Sequence, residues 1–248
     1  MAEGIKSPEP KVRCAFCDQL FSRRAMTRHL KSCAARRQAI ADEARSGKVS
    51  EPIYHVRVTD RHGGPWLLHL EVRGTAHLSD LDDYLRAIWL ECCGHLSHFD
   101  IDGIEYAAFP DRSGFGPLQR SQKVAIARVL KPAQTFTFVY DYGTTSELSL
   151  KVVEVREGPW PHRYPIRLLA RNEPPDWHCH ECGEAAELVC TTCLWEAWPQ
   201  ALVCEQHIEA HRTRFHADDE YWEDYLLPVV NSPRMGLCGY DGPAEPPY

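Results

Sequence analysis

The residues most able to do chemistry crowd together near the end of the chain, in "WHCHECGEAAELVCTTCLWEAWPQALVCEQHIEAHRTRFH". Cys179-x2-Cys182 is followed after seven residues by Cys190-x2-Cys193, and after ten more by Cys204-x2-His207, then His211 and His216. A Cys-x2-Cys turn aims two thiolates at one point, and zinc closes a tetrahedron with two further sulfur or imidazole donors. Eight donors in four pairs make two such sites. A catalytic zinc keeps one position open for water, usually with a carboxylate base beside it. Here four protein donors close each site, and Glu181 and Glu205 sit beside donors as in the hydrated loop of a structural knuckle, so the zinc is expected to be structural.

A second group lies near the front, where "CAFC" and "FSRRAMTRHLKSC" place Cys14, Cys17, His29 and Cys33 at C-x2-C-x11-H-x3-C spacing. His29 and Cys33 stand four residues apart, on one face of a predicted helix. Phe21, Met26 and Leu30 supply a small apolar core beneath the metal. Three zinc ions are therefore expected in all. The front passage resembles Cys-Cys-His-Cys zinc fingers, and the later one resembles the B-box type of zinc module. That resemblance implies alternating pairs: Cys179, Cys182, Cys204 and His207 on one zinc, Cys190, Cys193, His211 and His216 on the other. The ten-residue spacer "LWEAWPQALV" is long for that type, and His178, His180 and Cys238 stand as substitute ligands.

Other reactive constellations read as ordinary structure. Cys92-Cys93 lies close to His95 and His98, but a helix C-terminus raises a thiol pKa, and Cys92 falls on an apolar face where a free cysteine is a plain core residue. Asp80, Asp82 and Asp83 open a predicted helix, and Asp100, Asp102 and Glu105 surround a turn, which is capping and turn chemistry. There is no phosphate-binding glycine loop, Gly-x-Ser-x-Gly elbow or His-Glu-x-x-His motif. No catalytic residue is assigned, and the protein is read as non-catalytic; a metal-dependent enzyme using the acids of the middle region is a minor alternative.

Charge divides the chain. The net charge is −7, yet residues 1–48 hold eleven Lys/Arg against five Asp/Glu, while the remainder holds seventeen against thirty. Only the front should attract a polyanion. Arg23, Arg24, Arg28 and Lys31 fall in the finger helix, with Arg36 and Arg37 just beyond. Guanidinium groups on a helical face suit phosphates and guanine edges, so DNA or RNA is the expected partner there. The same face also suits protein docking, as do Trp195, Trp198, Tyr221 and Trp222, which equally fit the core of a small metal-dependent domain. No apolar run reaches the roughly 18 residues of a membrane span, and "MAEGIKSPEP" lacks the apolar core of a signal peptide. A cytoplasmic location is expected, where disulfides are disfavoured.

The elements that position these groups are legible in outline. "IYHVRVTD" and "PWLLHLEVRG" alternate around the turn "RHGG", a hairpin. "LSDLDDYLRAIWLECC" places Leu81, Leu85, Ile88, Trp89 and Cys92 at helical spacing with Ser79 as N-cap. Two short strands flank Asp102-Gly103, a strong hairpin cue, and "AQTFTFVYD" and "ELSLKVVEV" follow as strands. The fold expected is α+β, a β-grasp-like mixed sheet on one main helix, flanked by two small zinc-binding modules. The boundaries are a finger with its basic helix at 11–48, the α+β domain at 52–157, a linker at 158–176, the two-zinc module at 177–217 and a tail at 218–248.

"YHVRV", "LSDLDDYLRAIWL", "HLSHFDIDGIEYA", "VLKPAQTFTFVYDYG" and "LSLKVVEV" together resemble the plasmid open-reading-frame-three-like family (pRiA-type, also known as transposon-passenger TnpR-like proteins). "LLPVVNSPRMGLCGYDG" looks like the tail some members carry. The resemblance implies an α+β domain and a mobile-element context, with no established activity. The family's "YDFGDxWxH" reads "YDYGTTSEL" here, without the Trp and His. The reading is thus a zinc-binding protein of a mobile-element or defence assembly, touching nucleic acid through its finger; the alternative is a protein–protein adaptor with purely structural zinc modules.

Overall fold

The computed structural model describes residues 10–111 and 118–248; most of the stretch read for a signal peptide lies outside the described residues. The front contributes strands β1 (Val12–Cys14) and β2 (Leu20–Phe21) and helices α1 (Arg23–Ser32) and α2 (Ala34–Ala44). The middle contributes β3 (Ser50–Asp60), β4 (Leu67–Arg73), α3 (Leu78–Leu85), β5 (Ser97–Ile101), β6 (Ile104–Ala107), β7 (Gln119–Ser121), α4 (Ile126–Val129), β8 (Thr135–Tyr140), β9 (Ser146–Pro159) and β10 (Ile166–Asn172). The last part holds β11 (Leu188–Cys190), α5 (Cys193–Glu196), β12 (Leu202–Val203), α6 (Ile208–Phe215) and β13 (Leu226–Pro228).

Ten strands form one mixed sheet in the order β2-β1-β10-β4-β3-β9-β8-β5-β6-β7. Among the described residues β6 and β7 are its parallel pair; the other neighbours run antiparallel. This sheet is wider than the expected β-grasp-like one, and its long central strands β3 and β9 are antiparallel. Alternation decides which face is apolar. Across β4, β3, β9 and β8 the registers Leu70↔Val56↔Val152 and Leu148↔Phe138 line up apolar side chains on one face. Helix α3 covers it, continued by a π turn over Arg86–Leu90, so that Leu78, Leu81, Tyr84, Leu85, Ile88 and Trp89 are all fully buried. Each such aliphatic side chain contributes about 1.5–3 kcal/mol of burial energy. The helix begins two residues earlier than expected: His77, in place of Ser79, is the N-cap, and Asp80 accepts from its backbone N–H at 2.7 Å.

The opposite face carries charge. His55, His69 and Glu71 point away from the apolar core and are buried under α2. Glu71 accepts from Arg36 at 2.7 Å, from Arg156 at 3.1 Å and from Arg167; Glu43 of α2 meets Arg156, Arg167 and His162. Helix α2 is thus bolted onto the sheet by ion pairs.

Two boundaries differ from the sequence reading. The segment 158–176 read as a linker holds β10, which lies between β1 and β4. The finger therefore belongs to the sheet: Val12, Cys14, Met26 and Leu30 share one core with Leu67, Leu169 and Ala170. The physical reason is size, because a finger of this length has too little apolar surface to close a core alone. At the other end β13 pairs with β11, so the later module extends beyond residue 217 into the tail.

Candidate metal centres

The front quartet is built by three elements. Strand β1 ends at Cys14, a tight turn carries Cys17, and α1 presents His29 before ending at Cys33. Ser22 caps α1 by accepting from the Ala25 N–H at 3.3 Å, and Asp18 adopts the left-handed region (φ 59°) that lets the turn close. One ligand atom from each of the four residues lies within 4.8 Å of the others. Cys14 and Cys33 sulfurs are 4.0 Å apart, and Cys17 Sγ is 3.4 Å from His29 Nε2. Phe21 stacks on the His29 ring with centroids 3.8 Å apart.

The later stretch makes two quartets, Cys179, Cys182, Cys204 and His207 in one, Cys190, Cys193, His211 and His216 in the other, each again within 4.8 Å. Cys182 and Cys204 sulfurs are 3.7 Å apart, and Cys204 Sγ is 3.2 Å from His207 Nδ1. In the second, His216 Nε2 is 3.3 Å from both Cys190 and Cys193 sulfurs. The pairs interleave along the chain because β11 lies between β12 and β13 and carries Cys190 past the first quartet. The long spacer is absorbed by α5, a turn and strand β12, with Ala201, Leu202 and Val203 buried. His178 pairs instead with Asp176 at 3.2 Å, and neither it nor His180 joins a quartet.

These donor sets fit a zinc-class ion. With metal–sulfur bonds of about 2.3 Å, a tetrahedron has edges of about 3.8 Å, close to the sulfur separations here. Burial, with the neighbouring Cys190, pushes the Cys193 thiol up to about 12, and burial pushes Cys14 to about 11. Such thiols ionise at neutral pH only beside a cation. The quartets can each hold a metal ion.

The basic residues divide. Arg24, Arg28, Lys31 and Arg37 are exposed, and none makes an ion pair among the described residues. Arg23 is half-buried and donates to the Gly64 carbonyl at 2.9 Å. Arg36 corrects the sequence reading: it is 5% exposed, gripped by Glu71 and by the Leu30 carbonyl, and has no face to offer a nucleic acid. Its position four residues beyond the finger helix, in the first turn of α2, looked exposed only because the sheet beneath α2 could not be seen. Trp222 is likewise a core residue, 2% exposed, whereas Trp195 and Tyr221 are 74% and 69% exposed.

Of the acids, Asp100 accepts from the Gly103 N–H at 3.0 Å and Asp82 binds Arg86 and Ser97. None of Asp80, Asp82, Asp83, Asp100, Asp102 or Glu105 enters a group of three ligand atoms among the described residues. At Cys92 burial pushes the thiol up, but the Arg234 hydrogen bond and charge, with Tyr140, outweigh it and leave it below the ordinary value. The helix-end expectation is thereby reversed, by a tail residue 142 positions away.

The comparisons with known proteins concern the sheet rather than the metal clusters. The family model described as plasmid pRiA4b ORF-3-like protein matches residues 56–191. The chain belongs to the plasmid pRiA4b ORF-3-like family. The family match takes in most of the sheet from β3 onward and ends within the later metal module, leaving the front quartet outside it. A solved structure, a protein of unknown function from Methanosarcina mazei Go1, is similar at 17% identity with a TM-score of 0.40, over 46% of this chain; this chain spans 66% of that one. No curated protein matches. No helix among the described residues is long and apolar enough to cross a membrane.

Proposed function

We propose that this plasmid pRiA4b ORF-3-like protein is a non-catalytic, zinc-bound assembly protein that contacts nucleic acid through its front helix. Zinc occupies the three Cys/His quartets and fixes the surfaces around them, the later two in a B-box-like cross-brace. The observation that carries the nucleic-acid reading is the stripe Arg24, Arg28 and Lys31, three exposed cations on one face of α1. Cations in that row suit successive phosphates, and nothing in the body of the chain competes, since residues 49–248 are acidic. The family's plasmid designation supports a mobile-element setting, and a cytoplasm would keep the cysteines reduced.

The test is binding of labelled duplex DNA and of single-stranded RNA across a salt series. Neutralising three phosphates gives a slope of log K against log salt near −2 to −3. The triple variant Arg24→Ala, Arg28→Ala, Lys31→Ala should flatten it. Salt-independent binding, or no binding by the intact protein, overturns the reading. The exposed Trp195 and Tyr221 favour a second reading, a protein adaptor. It predicts a protein partner lost on changing these two to serine, with no nucleic-acid affinity to lose.

A further inference from the structure

A fourth group of metal donors lies away from the three quartets. Cys92, Cys93 and His95, at the end of the π turn that follows α3, meet Cys238 of the C-terminal segment, all four ligand atoms within 4.8 Å. Cys93 Sγ is 3.8 Å from Cys92 Sγ and 3.9 Å from Cys238 Sγ. His95 Nε2 is 3.0 Å from Cys93 Sγ and 3.3 Å from Cys238 Sγ. Both sulfur separations match the edge of about 3.8 Å for a tetrahedral zinc-class site. Sequence spacing conceals this, because Cys93 and Cys238 are 145 residues apart.

The backbone around the donors repeats that of the other knuckles. Cys17 and Cys182 are each followed by a left-handed residue, Asp18 at φ 59° and Gly183 at φ 76°. Cys93 and Cys238 are followed in the same way, by Gly94 at φ 81° and Gly239 at φ 68°. Cys238 itself is left-handed at φ 49°, an uncommon conformation for a residue other than glycine, asparagine or aspartate. A buried cation stands behind the thiolates: Arg234, 0% exposed, places Nη2 3.5 Å from Cys92 Sγ and 2.5 Å from Asp141 Oδ2. Asp141 Oδ2 also lies 3.4 Å from His95 Nε2. Three thiolates on a divalent ion leave a net negative charge, which a buried guanidinium offsets.

We propose that Cys92, Cys93, His95 and Cys238 form a fourth zinc-class metal site that clasps the C-terminal segment onto the family domain. The site closes where Ser232 Oγ donates to the Trp89 carbonyl at 2.6 Å and Arg234 enters the sheet, so the metal locks a segment already seated. Two of its three thiols, Cys93 and Cys238, are exposed, against Cys182 alone in the other quartets, so this ion is the first to be lost to a chelator.

The inference does not depend on which partner the protein has. It is tested by native mass spectrometry of the full chain, purified under reducing conditions with zinc. Four ions are expected in the wild type and three in Cys238→Ser and in Cys93→Ser. Three ions in all three proteins overturn the fourth site and leave the other quartets standing; none in any overturns both. Iodoacetamide footprinting of the wild type needs no variant. Zinc should protect Cys93 and Cys238, and a mild chelator should expose these two before Cys14 or Cys190. Alkylation of Cys93 and Cys238 at the free-thiol rate in zinc-loaded protein, or a Cys93–Cys238 disulfide in its place, sinks the proposal.

Discussion

Arg36 and Glu71 meet at 2.7 Å with side chains 6% and 1% exposed, joining the basic front arm to the fourth strand from inside the protein. A residue typed by sequence as a nucleic-acid contact is thus a fastening between layers. Removing one partner of a buried pair leaves the other charge uncompensated, at a cost of about 3–5 kcal/mol. Arg36→Ala should lower thermal stability by that amount, whereas exposed Arg37→Ala should change it by less than about 0.5 kcal/mol. Calorimetry on the two variants decides it, and equal small effects would contradict the packing described.

Acid should loosen this layer before the apolar core. Burial, then the charge of Arg36, pulls His55 down to about 3, and it stays neutral against His69 at 2.8 Å. An unfolded histidine takes up a proton below its ordinary 6.5, so stability falls as pH drops from there toward 3. Burial alone would raise Glu71, but Arg156, Arg167 and Arg36 hold it at about 2, so its contribution is lost between its ordinary 4.5 and about 2. Both act in one direction, by a few kcal/mol in total. Denaturant midpoints measured from pH 7 to pH 4 should fall steadily, and His55→Gln should fall less steeply; parallel curves would remove His55 from the account.

Metal removal should separate the two ends of the molecule. The later module's core is small, built from Val189, Cys190, Ala201, Leu202 and Met235 with partly buried neighbours. Structural zinc contributes about 10–16 kcal/mol in such settings. Strong chelator should therefore make residues 177–228 protease-sensitive while the region of β3 to β9 stays resistant. Uniform resistance throughout would show that the module folds without metal.

The C-terminal segment has its own anchor. Arg234 also donates to Ser146 Oγ at 3.1 Å and to the Thr144 carbonyl. Arg234→Met leaves Asp141 buried without its cation, so it should cost about 3–5 kcal/mol and free the segment after residue 231 to limited proteolysis. Pairing it with Asp141→Asn should recover part of the loss. A double variant no better than the single one would mean that the two residues act separately.

Local patterns carried much of this structure in the sequence. Alternation in "IYHVRVTD" and "ELSLKVVEV" located β3 and β9, and Asp102-Gly103 marked the β5–β6 turn, with both residues left-handed as required. Cys-x2-Cys pairs marked where donors meet. What stayed hidden depends on contacts distant in the chain. Strand β10, "IRLLARN", has polar residues whose partners are Glu43, Glu71 and the tail's Asn231, so it resembled a linker. Arg36 is indistinguishable from Arg37 until Glu71 is placed beneath it. Cys238 could be seen only as a spare ligand, because its partners lie on the far side of the sequence.

Strand β10 stands between β1 and β4, so the first strand of the protein waits for the last strand of the sheet to be made. On a ribosome adding 5–20 residues per second, Ala170 follows its partner Cys14 by roughly 8 to 30 s. During that interval β1 has no partner in the body of the sheet, and Arg167 of β10 is the last of the three arginines to reach Glu71. The chain therefore cannot fold strictly from front to back. Its amino-terminal arm is made first, yet its strand settles into the sheet among the last parts.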